Sequence, residues 1–136
     1  MDLPNHPNHV RLLYSDAKGG VTSKKLIESC MRMKPDHIFL TELKGDEAWS
    51  YLTLLNTGHD GSITSGHFND AKSGHARIAD LVKQSPIGQT LDYEFILNTV
   101  RRTIDLVMFW KGTKLQEIYY NPVGQLRLDK GEAYDG

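Results

Sequence analysis

A chain of 136 residues with 39% hydrophobic and 24% charged side chains is long enough for one domain with its own core, and ordinary for a globular protein. Its formal net charge of −1 supplies no basic field of the kind that draws in nucleic acid or an anionic membrane surface, and Cys30, the single cysteine, cannot form an internal disulfide. No window approaches the ~18 apolar residues of a membrane span, and the start lacks a basic segment followed by an apolar run, so a cytoplasmic location is expected.

His9–Tyr14 reads as a strand, ended by the polar and glycine-rich run Ser15–Gly20. Thr22 or Ser23 then caps a helix to about Met33, with Leu26, Cys30 and Met33 on one face, Ile27 and Met31 alongside, and Pro35 as its stop. Cys30 is read as a small apolar packing residue on that helix. His37–Thr41 is a compact apolar strand of the type buried on both faces. Asp46 can cap a helix whose stripe is Ala48, Tyr51, Leu52 and Leu55, and Gly58 stands where a left-handed residue would end it.

Gly61–Gly66 is the third strand, and Asn69 or Asp70 caps a helix running to Gln84. A further helix from Asp92 to about Thr103 turns Phe95, Ile96, Thr99 and Val100 inward. Ile104–Trp110 and Lys114–Tyr120, joined by a short loop containing Gly112, predict a hairpin, and Gln125–Leu128 reads as a short last strand. Residues 1–128 are expected to form the domain and 129–136 a frayed polar tail. The order implies an α/β fold: a mostly parallel sheet flanked by helices, with a C-terminal antiparallel hairpin extending one edge.

In an open parallel sheet, ligands gather beyond the carboxyl ends of the strands, where loops and helix N-termini converge. Ser15 and Asp16 follow the first strand, Glu42 the second and His67 the third. Glu42 and His67 therefore form the candidate pair, a carboxylate and an imidazole on neighbouring strand ends. His59 precedes the third strand and should lie roughly 20 Å or more from His67 at about 3.3 Å per extended residue. The two cannot share a metal ion, and His59 is read as ordering its turn through Asn56, Thr57 or Asp60.

Other constellations carry less. His6 and His9 lack a third metal ligand nearby, and Gly19–Lys25 resembles a phosphate loop but places Ser23, not glycine, before Lys24. No serine sits in a G-x-S-x-G turn. Trp49 and Trp110 are read as core or interface residues because no basic groove accompanies them.

Read in order, five segments carry a more specific signal: Met31–Asp36 with Arg32 shortly before Pro35-Asp36; Ile38–Glu42; Leu43-Lys44-Gly45; Asn56-Thr57-Gly58-His59; and Gly61–His67. Together they resemble the traffic ATPases of bacterial secretion: the hexameric motor of type IV secretion and, more distantly, the type II secretion and type IV pilus motors. That family shows an arginine before Pro-Asp, an apolar Walker B strand ending in Glu, Arg-Gly, and a His box of the form Thr-Gly-His, Ser-Leu/Ile-Thr, His. The match runs from about Asn8 to Tyr120. The family's Walker A loop and Asp box precede the matching region, so the chain resembles the C-terminal half of a RecA-like P-loop NTPase domain and is expected to bind ATP poorly alone.

The resemblance implies roles. Glu42 would orient or deprotonate the attacking water, His67 would sense the γ-phosphate, and Arg32 would stabilise charge, acting across subunits. Arg32, Thr41, Lys44 and His67 would line the nucleotide, ATP with Mg2+. Thr41 stands where glycine is common, Gly66 where a larger residue is frequent, and Lys44 where arginine is usual, without arginine's planar fork. The parent is expected to be a hexamer on the cytoplasmic face of the inner membrane, partnered by secretion machinery and without sequence-specific nucleic-acid binding. The alternatives are a non-catalytic α/β oligomerisation or docking module and a small hydrolase using Glu42, His67 and a metal. A GxxxxGK(S/T) motif upstream in the gene would separate the motor from the module.

Overall fold

The structure, a computed structural model, describes residues 4–15 and 17–136. Its elements in chain order are α1 (Ser23–Met33), β1 (Phe39–Leu40), α2 (Glu47–Leu55), β2 (Ile63–Thr64), α3 (Gly74–Gln84), α4 (Pro86–Gln89), α5 (Tyr93–Thr103), β3 (Leu106–Lys111), β4 (Lys114–Tyr120) and α6 (Pro122–Asp129). β1 and β2 pair in parallel, Phe39 against Ile63 and Leu40 against Thr64. β3 and β4 form an antiparallel hairpin, turned at Gly112 with φ +60°, and make a separate two-stranded sheet instead of extending the parallel pair.

The core lies among α2, α3 and α5. Ala48, Tyr51, Leu52, Ala79, Val82, Ile96 and Val100 are wholly buried, and the Tyr51 hydroxyl donates to the Ile38 carbonyl at 3.1 Å, which ties α2 under β1. Burial of that phenol pushes its pKa well above the usual value. Three helices start on a side-chain cap, that of Thr22 as expected. Thr22 accepts from Lys25 N–H, Asp92 from Phe95 N–H, and Ser85 caps the unforeseen α4 by accepting from Gly88 N–H. α1 ends as Lys34 turns left-handed at φ 50°, directly before Pro35.

Several expectations need correction. His9–Tyr14 is not a strand: Val10 and Leu13 are 67% and 75% exposed, and the segment has no ladder partner among the described residues, without which extended backbone gains no sheet bonds. The β1 region is not buried on both faces; Ile38 and Leu40 point inward and Phe39 outward. In α1 the buried face is Ser23 and Ile27 with Cys30 half-buried, while Met31 and Met33 are exposed; burial raises the Cys30 thiol pKa, in keeping with a packing role. In α5, Leu97 takes the inward place expected of Phe95.

The Asp70 carboxylate does bond, accepting from Ser73 N–H at 2.8 Å, but it closes a turn and α3 begins only at Gly74. Gln125–Leu128 is helical, because Asn121 accepts from Gly124 N–H and Pro122 occupies the first helical turn. The last residues are tied down: the Tyr134 and Tyr119 hydroxyls bond at 2.8 Å, and the Arg101 guanidinium lies 4.2 Å from the Tyr134 ring centre. Trp49 is half-buried in a tilted contact with Phe95, whereas Trp110 is half exposed on the hairpin. No helix among the described residues is long and apolar enough to cross a membrane.

Candidate functional site

The site is built where β1 and β2 end side by side. Past the ladder, Leu43 N–H donates to the Ser65 carbonyl at 2.9 Å and the Ser65 hydroxyl donates to the Thr41 carbonyl, so the pairing continues as Glu42 and His67 leave the strands. Parallel register then brings the two side chains to the same end. His67 Nε2 lies 2.9 Å from Glu42 Oε1, and Lys44 Nζ lies 3.3 Å from Glu42 Oε2.

Each carboxylate oxygen thus faces one donor. The Glu42 side chain is 25% exposed, while that of His67 is 93% exposed. Pairs this open contribute little to stability, ~0–1 kcal/mol each, so their arrangement matters more for chemistry than for folding.

The Lys44 position is set by its backbone. Glu47, buried at the start of α2, accepts Lys44 N–H at 2.6 Å and Gly45 N–H at 3.2 Å. Asp46, expected to cap this helix, makes no side-chain cap bond. Glu42, Leu43, Lys44, His67, Arg77 and Leu81 line an open pocket of ≈ 160 Å³. A larger hollow of ≈ 310 Å³ lies between the start of α1 and the Lys44–Glu47 bend, but its buried carboxylate, Glu47, is already engaged by backbone amides.

The other expected site residues fall elsewhere. Thr41 supplies its carbonyl to the strand-end contact. Arg32 is exposed at the carboxyl end of α1, outside the pocket lining and without a described bond to Glu42 or His67. Ser15 closes its own turn by accepting from Ala17 N–H, and Asp16 lies outside the described residues. His59 orders the end of α2: its Nδ1 donates to the Leu54 carbonyl at 3.0 Å and meets Thr57 Oγ1 at 3.2 Å. His9 is spent on the His6 carbonyl.

Arg77 was not anticipated. It reaches the pocket from α3, one helical turn before Leu81, and that i, i+4 spacing was the available signal. Glu47 was also missed, although a carboxylate in a first helical turn commonly reaches back to free amides.

A family model described as Type II/IV secretion system protein matches residues 3–109. The chain is 39% identical to the type IV secretion system protein VirB11 of Brucella suis biovar 1 (strain 1330), over 88% of this chain and 37% of that protein. It is 37% identical to the protein VirB11 of Agrobacterium fabrum (strain C58 / ATCC 33970), over 76% of this chain and 31% of that one. A crystal structure of the VirB11 ATPase from the Brucella suis type IV secretion system, in complex with sulphate, superposes with a TM-score of 0.86 at 36% identity, covering 95% of this chain and 39% of that chain. The chain therefore spans only about a third of the length of these relatives.

Proposed function

Because the chain belongs to the type II/IV secretion system protein family, we propose that it is the C-terminal part of an ATP-hydrolysing motor that energises type IV secretion or conjugative transfer across the bacterial envelope. The observation that carries the reading is the Glu42 carboxylate meeting His67 at 2.9 Å beyond the ends of two parallel strands, with Lys44 on its other oxygen. The parent is a hexamer that works at the cytoplasmic face of the inner membrane with other secretion components.

The pocket suits a transferred phosphate and its water. Lys44, His67 and Arg77 offer positive or donor groups around ≈ 160 Å³, and Glu42 is the acidic residue among those lining it. Among the described residues no three His, Cys, Asp or Glu side chains converge, and Glu42 is the carboxylate of this pocket that would face a phosphate-bound magnesium ion. The remainder of the nucleotide would be held by parts of the parent outside this third of its length.

Glu42 keeps a free lone pair on each oxygen after receiving His67 and Lys44, and from there it orients the attacking water and takes its proton. His67, almost fully exposed on its side chain, can exchange the carboxylate for a phosphate oxygen and return when that oxygen leaves. Arg32, exposed at the end of α1, would stabilise charge, acting across subunits.

The test is Glu42→Gln in the complete motor. It is expected to abolish ATP turnover while nucleotide binding persists, and the 136-residue chain by itself is expected to show no turnover. Near-normal steady-state hydrolysis by the variant would remove Glu42 from the base role.

A further inference from the structure

The segment that carries His67 is held at two ends. Upstream, Ser65 is bonded to the end of β1 through Leu43 N–H and the Thr41 carbonyl. Downstream, the chain seats on the hairpin at successive points. Ala71 N–H donates to Glu117 Oε2 at 3.0 Å. Gly74 lies so close to Val107 that a Cβ there would come within 2.8 Å of Val107 Cγ1. His75 Nε2 donates to the Ile104 carbonyl at 2.8 Å, and its ring meets Tyr119 edge-on at 5.7 Å.

The hairpin register explains why these contacts share one side. Val107 pairs with Tyr119 and Phe109 with Glu117, so all four lie on one face, while the alternate pairs Leu106 with Tyr120 and Met108 with Ile118 are exposed on the other. Ala71 is 2% exposed, so its N–H has little access to water and depends on Glu117 as acceptor.

We propose that Glu117 is a positioning residue for His67: its carboxylate makes the hairpin a strut that fixes the short bridge from His67 to Ala71, and through it the distance between the imidazole and Glu42. This rests on the reading of Glu42 and His67 as the working pair. Glu117 does not touch the pocket; it acts through the backbone of the Ala71 turn.

The test follows the His67 ring signals and the Ala71 amide exchange rate by NMR in the whole chain, without nucleotide. Glu42→Gln first defines how far the ring signals move when the partner carboxylate is altered. Glu117→Ala is expected to speed Ala71 exchange about tenfold or more, as loss of a bond to a charged acceptor implies, and to move the His67 signals in the Glu42→Gln direction. Glu117→Gln, which keeps a carbonyl acceptor, should leave both near their wild-type values.

Faster Ala71 exchange with unmoved His67 signals would reduce Glu117 to a local structural contact and overturn the proposal, as would an unchanged exchange rate. Should Glu117→Ala not fold, Glu117→Asp withdraws the carboxylate by one methylene while keeping its charge, and the same two outcomes decide. Neither readout needs turnover. A failure here therefore leaves the ATPase reading standing, and an active Glu42→Gln motor would remove Glu42 from the base role without deciding either of these two readouts.

Discussion

Glu47 holds the backbone N–H of Lys44 at 2.6 Å, and the bend so formed returns the Lys44 ammonium to Glu42 at 3.3 Å. A residue with no direct contact to the pocket therefore sets one of its charges. The Glu47 carboxylate is nearly buried and its bonds go to two main-chain amides, an arrangement that stabilises both the bend and the start of α2.

Glu47→Ala is expected to lower unfolding stability by about 1–3 kcal/mol, the cost of leaving buried donors unmatched, whereas Glu47→Gln retains an acceptor and should lose less. Urea midpoints of the two variants check this. Equal losses for both would show that charge, not the amide bonds, is what matters at this position.

Gly66 precedes His67 because the Phe68 ring folds back over it. A Cβ at Gly66 would fall 2.8 Å from the tip of that ring, which is partly buried against the core. Gly66→Ala should then destabilise by ~1–3 kcal/mol through overpacking, and adding Phe68→Leu should recover part of the loss. Thermal or urea unfolding of the single and double variants measures the coupling; strictly additive losses would contradict it.

His75 gives the fold a dependence on acidity. Burial lowers its pKa from the ordinary 6.5, with the nearby Arg101 charge acting the same way, while the bond to the Ile104 carbonyl and the Asp105 charge oppose the shift. The unfolded state therefore binds a proton more readily than the native state. Its contribution is fully present above about pH 6.5 and is lost as pH falls through the lower native value. Unfolding stability should fall with acidification below that point more steeply in the wild type than in His75→Gln, and parallel pH profiles would refute the assignment.

Much of the architecture was legible because local chemistry and tertiary packing agree. Thr22 caps where expected, the helix expected from Asp92 begins there, and Gly112 turns the hairpin. Glu42 and His67 could be brought together from their positions at two neighbouring strand ends, since parallel register places such residues side by side, whereas Lys44 entered only through the family resemblance.

What could not be read depended on partners remote in the chain. His9–Tyr14 has an extended pattern but no neighbouring strand among the described residues. Leu97 displaces Phe95 from the core through the rotation of α5 against α3, which periodicity alone did not resolve. Leu126 and Leu128 suggested alternation, yet the Asn121-Pro122 start signal prevailed and made a helix. Arg77 and Glu117 acquire their places only when α3 and the hairpin are packed.

The parallel ladder itself contains just two residue pairs. Parting it would break few main-chain bonds and leave the helical interior around Tyr51, Val82 and Val100 undisturbed. The crevice between Glu42 and His67 thus sits on a thin seam, and its width depends on the ties that Ser65 adds to Thr41 and Leu43 beyond the ladder.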